Sequence, residues 1–203
     1  MKILILLLAA GLLSGCKPKS AAPSSPDSMV AQKIFLKDVT TGEKPSTALH
    51  AGYHAEWSYF GEKRAVHHTT NDAGLVTTIR FNVGTDFDGQ RLQEALEQKL
   101  TEETGRKVAF DCRTQPRHLA AVDNLAVTET LCTLRSATQK LTLKRQRPDN
   151  PSDTEKYGNL RIIFDTADLT LEDTSLEDAR QAAERAKSEA EYDKREDKEK
   201  RDI

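Results

Sequence analysis

The sequence is poor in the features that identify most enzymes and nucleic-acid-binding proteins. Aromatic residues make up 5% of its 203 residues, and the formal net charge at pH 7 is −2. A chain with so few aromatic side chains builds a modest core, and a near-neutral chain gives no electrostatic indication of nucleic-acid binding. It contains no Gly-x-Ser-x-Gly elbow and no Cys-x-x-Cys pair. We therefore predict no catalytic residue and no cofactor.

A long hydrophobic run is also missing. The longest, residues 3–13, is 11 residues, whereas a membrane-spanning helix needs about 20. It follows a short positive start, Met1-Lys2, and leads into the small residues Ser14-Gly15. This layout is typical of an export signal, so we expect residues 1–15 to be a signal peptide.

The apolar run ends in Leu13-Ser14-Gly15-Cys16. These residues resemble the lipobox of bacterial lipoproteins, in which an aliphatic residue, a small residue and Gly or Ala precede a cysteine. The resemblance covers residues 1–16 and implies a diacylglycerol on Cys16, cleavage before it and acylation of the new amino group. The next residue is Lys17 rather than Asp, which in that family implies the outer membrane, facing the periplasm. An unlipidated export signal is the alternative.

The stretch after the cysteine is small, polar and interrupted by proline. Residues 17–31 include three prolines, and such a composition cannot bury enough apolar surface to offset the entropy lost on ordering. We expect residues 16–32 to be the lipidated cysteine and a disordered tether. The globular domain is then predicted at residues 33–168.

Two cysteines remain once Cys16 is assigned to lipid. Cys112 and Cys132 would share an oxidising compartment, where a disulfide is the usual outcome. In the chain-entropy model, a bridge closing a loop of about 20 residues stabilises by about 3 kcal/mol. A redox pair or a thiolate metal site is the alternative, although no characteristic spacing supports either.

The periodicity of apolar residues predicts an α+β fold. Four apolar residues fall on one stripe and predict a helix over residues 88–104: Leu92, Ala95, Leu96 and Leu100. Asp86 or Asp88 is expected to begin it and Gly105 to end it. Strands are predicted at 34–36, 65–70, 75–83, 107–112, 127–134, 141–145 and 160–164. Short links favour antiparallel pairing, so we predict a sheet of about five to seven strands with one helix on a face.

The last stretch, residues 169–203, contains neither Pro nor Gly and is rich in Ala, Glu, Lys and Arg. This composition predicts a charged helix that frays at its end. A narrow stripe of alanines, from Ala179 to Ala190, leaves two interpretations open. The helix is either solvated on all sides or seated against a partner.

Two groups of side chains are candidates for a partner surface. Trp57 and Tyr59 belong to an aromatic cluster, and such residues anchor cores as well as binding sites. Lys144, Arg145 and Arg147 form a basic run on a strand. We interpret this strand as a charged edge that prevents sheet-to-sheet aggregation, with an acidic partner as the alternative.

Two further pairs are candidates for metal binding or hydrolysis. His50 and His54 have the i, i+4 spacing that holds a metal on a helix, although Gly52 between them makes a helix doubtful. Asp86 and Asp88 are paired carboxylates at the start of the predicted helix, where capping explains them more simply.

Together these patterns favour a non-catalytic binding module on the outer membrane. It would be a component of envelope maintenance, or an inhibitor or immunity factor against a periplasmic enzyme or toxin. Its expected partners are the membrane, through the lipid on Cys16, and an envelope or periplasmic protein, but no nucleic acid. An envelope hydrolase or metal-binding protein using His50 and His54 or Asp86 and Asp88 is the alternative. The oligomeric state is not predicted.

Overall fold

The computed structural model describes residues 29–46, 49, 55–59 and 61–201. Cys16 and the expected tether up to residue 28 lie outside the described residues, as do His50 and His54. None of the described helices is both long and apolar enough to cross a membrane.

One antiparallel sheet of seven strands forms the centre of the molecule. The strands are β1 Ala55–Tyr59, β2 Glu62–Thr70, β3 Val76–Gly84, β4 Asp111–Leu119, β5 Leu125–Arg135, β6 Gln139–Pro148 and β7 Thr166–Asp173. The helices are α1 Asp86–Thr104, α2 Ser152–Tyr157, α3 Arg161–Phe164 and α4 Thr174–Arg201, and a 3₁₀ turn at Gly158–Leu160 links α2 to α3. The spatial order of the strands is β1-β2-β3-β7-β6-β5-β4. The predicted α+β class is confirmed.

One face of the sheet carries most of the core. Side chains alternate between the two faces of a strand, and the apolar residues stand at alternate positions, so they fall on the same face. Paired residues on this covered face form a row across four strands: Phe81, Leu169, Leu143 and Cys132. Each is at most 1% exposed. Leu92, Leu96 and Leu100 of α1 belong to the same buried cluster, which confirms these three positions of the helical stripe. Ala95, the fourth predicted position, is exposed.

Helix α1 approaches the sheet closely at Gly89. A Cβ atom at this position would lie 2.5 Å from the Cβ of Ala167 on β7, which is too close for two non-bonded carbon atoms. Thr85, one residue before the expected cap, begins the helix, and Asp88 completes a reciprocal capping box with it. Gly105 ends the helix in the left-handed conformation, as predicted.

The predicted disulfide is present. Cys112 and Cys132 are directly opposite each other on β4 and β5, and their sulfur atoms are bonded. The strand that carries Cys112 nevertheless differs from the prediction, since residues 107–110 are irregular and β4 runs from Asp111 to Leu119. Pro116 lies inside β4, which is possible because β4 is an edge strand.

The end of the domain is also corrected. Residues 160–164, predicted as the last strand, are helical, and the last strand is β7. Leu169 and Leu171, which had been assigned to the tail, are fully buried in β7, so the C-terminal helix begins at Thr174. A contiguous apolar run such as 160–164 cannot be assigned to helix or strand from periodicity alone.

The N-terminal segment is not a strand at residues 34–36, but it is part of the core. Val30, Ile34, Leu36 and Val39 are buried in the main cluster. Val30 N donates to Arg135 O at 2.8 Å, which places the segment beside the end of β5. The buried core therefore includes Val30, which precedes the predicted start of the domain at residue 33.

A buried amide holds this segment against the sheet. Gln139, 1% exposed, accepts a hydrogen bond from Ile34 N at 2.6 Å through Oε1. Its Nε2 donates to Thr40 Oγ1 at 2.7 Å and to Thr41 Oγ1 at 2.9 Å. Both amide hydrogens are thus satisfied, as a buried polar network requires.

Replacing Gln139 with Leu should lower the free energy of unfolding by about 2–4 kcal/mol, because it leaves the Ile34 amide and two buried hydroxyls without their partner. Urea denaturation followed by circular dichroism measures the change. Gln98→Leu, on the exposed side of α1, is the matched control and should be nearly neutral. Equal losses in the two variants would contradict this role for Gln139.

Candidate binding surface

The opposite face of the sheet, called the open face below, is polar. Register places its residues in rows that cross the strands. One row is Arg80, Thr170, Thr142, Thr133 and Asp111, and the next is Asn82, Asp168, Lys144, Leu131 and Arg113. Most of these side chains are exposed or half-buried, so the rows form a surface rather than a second core.

Two short walls bound the open face. At one end, Gln146 Nε2 donates to Ile163 O at 2.9 Å, and Phe164 is buried with Val127 in a small cluster below α2 and α3. At the other end, Thr78 Oγ1 donates to Glu177 Oε2 at 3.3 Å at the start of α4. The uncovered surface therefore lies between α3 and the first turn of α4.

Glu129 is the most enclosed charge on the open face, with a side chain 8% exposed. Arg117 Nη1 lies 2.7 Å and Lys144 Nζ 2.8 Å from its carboxylate, and Gln115 Nε2 donates to it at 2.9 Å. Burial alone would raise the pKa of Glu129, but these hydrogen bonds from Lys144, Gln115 and Arg117 outweigh burial and lower it to about 2. Three strands are thereby tied together by one carboxylate.

The wall at α4 is built in a similar way. Arg180 Nη2 donates to Glu177 Oε1 at 2.7 Å. The hydrogen bonds from Arg180, the largest cause, lower the pKa of Glu177 to about 2. The first turns of α4 are therefore fixed to the sheet through Thr78, whereas residues 181–192 are exposed.

A cleft of about 570 Å³ lies over β2 and β3 at the edge of the open face. Its polar lining includes the exposed side chains of Lys63, His67 and Arg80. Asn82 Nδ2 donates to Asp168 Oδ1 at 3.1 Å and so fixes the floor of the cleft. The cleft offers hydrogen-bond donors and positive charge to whatever contacts it.

The aromatic candidates belong to the core. Trp57 is 4% exposed, and its ring meets that of Phe81 edge to face with the ring centres 5.4 Å apart. Its side chain is therefore buried and not available to a partner. Tyr59 stacks on Phe81 at 4.9 Å, and its burial raises the pKa of its phenol to about 12. Lys37 Nζ lies 4.5 Å from the centre of the Tyr59 ring. Both residues point to the covered face because β1 continues its alternation.

The interpretation of the basic run as an edge strand is wrong. Lys144, Arg145 and Arg147 lie on β6, between β5 and β7. Alternation separates them, because Lys144 is on the open face and the two arginines are on the covered face. Arg145 lies 3.6 Å from the carboxylate of Asp86, and Lys144 pairs with Glu129, so two of the three charges are neutralised within the chain.

The paired carboxylates serve the helix. Asp86 faces Arg145, and Asp88 accepts hydrogen bonds from the main chain and the hydroxyl of Thr85. Burial would raise the pKa of Asp88, but the bonds from Thr85, with the charges of Arg64 and Arg91, lower it. Among the described residues, no three His, Cys, Asp or Glu side chains could hold a metal ion. His50 and His54 lie outside the described residues.

Several open-face residues were not singled out from the sequence, above all Arg80, Leu131 and Glu129. Their signal was present in part, since Arg80 and Asn82 stand at the polar positions of a clearly alternating strand. The strand order that brings Leu131 and Asn82 into one row is set by pairing between distant segments, which no local pattern contains.

Comparisons with family models, curated proteins and solved structures found no match for this chain. Its surface is therefore interpreted from its own geometry and chemistry.

Glu129→Gln should lower the free energy of unfolding at pH 7 by about 2–3 kcal/mol, since it removes a charge whose pKa the surrounding donors lower to about 2. The carboxylate stabilises the fold above its unfolded pKa, near 4.5, and this contribution is lost as the pH falls through about 2. The gap between wild type and variant should therefore close from pH 5 to pH 2 in urea titrations.

The matched control is Glu94→Gln, on the exposed side of α1, which should show no such pH-dependent gap. A difference between Glu129→Gln and wild type that stays constant with pH would contradict the ion-pair cluster.

Proposed function

We propose that this chain is an outer-membrane lipoprotein, anchored through Cys16 and facing the periplasm, and that its domain binds a protein partner. The anchor rests on Leu13-Ser14-Gly15-Cys16 at the end of a short signal-like run. The disulfide between Cys112 and Cys132 agrees with this location, because such bonds persist in oxidising compartments outside the cytosol.

The open face is the proposed contact surface, and its extent is the main support. Seven strands about 4.8 Å apart span about 29 Å, and seven residues along a strand span about 23 Å. The resulting area is on the order of 700 Å², close to the roughly 800 Å² that each partner contributes to a standard interface. A small-molecule site would be more enclosed and more apolar.

The chemistry of the face also supports a protein partner. Leu131 is 42% exposed and stands in a row between Lys144 and Arg113, which gives an apolar contact point surrounded by polar groups. This arrangement resembles the apolar centre and polar rim of protein interfaces. Glu129 holds Lys144 and Arg117 in place, so little side-chain entropy is lost when a partner binds.

A stoichiometric binder fits two roles in the envelope. The domain would serve as a component of envelope maintenance, or as an inhibitor or immunity factor that captures a periplasmic enzyme or toxin. The geometry does not favour the part of the hydrolase alternative that rests on Asp86 and Asp88, because Arg145 and the helix cap already use them. Its other candidates, His50 and His54, lie outside the described residues.

Substitution of Cys16 with Ser should abolish lipidation and release the protein from the membrane fraction. Mass spectrometry of the N-terminal peptide and fractionation of the envelope measure the two effects. Ser14→Ala, which keeps a small residue at that position, is the control and should remain lipidated. A Cys16→Ser protein that stays in the membrane after a high-salt wash would disprove the anchor.

The double variant Arg80→Glu/Leu131→Asp should reduce recovery of the partner at least about tenfold, because it reverses a charge and buries another in the proposed interface. Crosslinking in the intact envelope, followed by purification of the tagged lipoprotein, measures recovery. The control is Glu94→Lys/Gln98→Asp on α1, with melting temperatures recorded for both. Equal recovery from the two variants would reject the open face.

A further inference from the structure

We propose that the end of the domain where the chain enters at Met29 docks on the anionic phospholipid surface of the membrane that holds the anchor. The inference rests on the proposed lipid attachment at Cys16. It adds an orientation, because it states which side of the domain faces the bilayer.

The position of Met29 is the first argument. Its neighbour Val30 is bonded to Arg135 at the end of β5, and Met29 itself is 53% exposed. Twelve residues lie between Cys16 and Met29. Even fully extended, a segment of this length spans at most about 45 Å, so this end of the domain is kept near the bilayer.

The charge around Met29 is the second argument. Arg106, Lys107 and Arg135 are exposed, and no ion pair joins any of them to a carboxylate among the described residues. The nearby carboxylates Glu103, Glu43 and Asp111 lie within 4.0 Å of Lys99, Lys33 and Arg113, respectively. Glu102, which accepts a bond from Gln98, is the remaining exposed acid on this part of α1. Positive charge therefore predominates.

The shape of this end is the third argument. A cleft of about 730 Å³ separates Met29–Gln32 from the end of α1 and the loop that follows it, and Arg106 and Lys107 line the cleft. Thr104 Oγ1 accepts a hydrogen bond from Arg106 N at 3.3 Å, and Val108 N donates to Thr101 Oγ1 at 3.0 Å. The two basic residues are thus presented on a fixed loop beside an exposed methionine.

Anionic headgroups match these features. A negative bilayer surface attracts Lys and Arg that lie within about a Debye length, near 8 Å at physiological salt. Lys17 and Lys19 stand next to the proposed lipid, so the tether would approach the same surface. The contacts should bind such a surface without the anchor, and the anchor would strengthen them by raising the local concentration.

Vesicle sedimentation of the unlipidated chain from Lys17 to Ile203, which retains every described residue, tests the proposal. The chain should bind vesicles of phosphatidylethanolamine and phosphatidylglycerol at 3:1, and should not bind phosphatidylcholine vesicles. Binding should fall with 500 mM NaCl. The variant Arg106→Glu/Lys107→Glu/Arg135→Glu should lower the partition coefficient at least about tenfold.

The matched control is Lys63→Glu/Arg147→Glu/Lys156→Glu, which changes the net charge equally at the opposite end of the sheet and should keep the binding. The alanine triple variant at positions 106, 107 and 135 provides a second measurement if the glutamate variant does not fold. Binding that survives the substitutions at this end would come from Lys17 and Lys19 and would overturn the proposal. Binding lost equally in the control would overturn it too.

Because this assay uses a chain without lipid, its result is independent of Cys16. Failure of lipidation would disprove the proposed anchor, whereas failure of vesicle binding would disprove only the orientation.

Discussion

The pairing of β7 with β3 on one side and β6 on the other is the constraint on which the rest of the structure depends. The strands β1–β3 form one meander and β4–β6 another, and within the described part of the chain β7 alone joins them. β7 also brings Ala167 beneath Gly89, so α1 can lie closely over both halves. Two small residues and one late strand thus convert two marginal meanders into a single sheet with a shared core.

Local sequence patterns predicted the helix and strands that have one apolar and one polar side. They did not predict features that depend on pairing between distant segments, such as the order of the strands. Ile79, Phe81 and Val83 alternate with polar residues, and β3 was found. β7 has the same alternation, but the prediction placed the last strand at the apolar run 160–164 instead. In the structure that run is helical and covers the sheet with Phe164. The charges on β6 suggested an edge because nothing local reveals which strands will flank it. The candidate surface was missed for the same reason, since its rows exist only once the strand order is known.

The structure still protects its edges by the expected physical means, but on other strands. β4 carries Pro116, which cannot donate to a further strand, with Arg113 and Arg117 beside it. β1, at the opposite edge, is only five residues long. The basic residues of β6 instead meet Asp86 and Glu129, so they connect helix and strands within the domain. Two of the basic side chains on β6, which the sequence suggested would face solvent, therefore form ion pairs within the domain.

The Gln139 network has a mechanical consequence if the chain is held at its N-terminus. A pull on the tether reaches the bond between Val30 and Arg135 first and the bond between Ile34 and Gln139 next. Both lie outside the ladder of the sheet, and Cys112 clamps β4 to β5 behind them. The segment from Val30 to Thr41 would therefore yield before the strands separate, and the open face on the opposite side would keep its shape under tension.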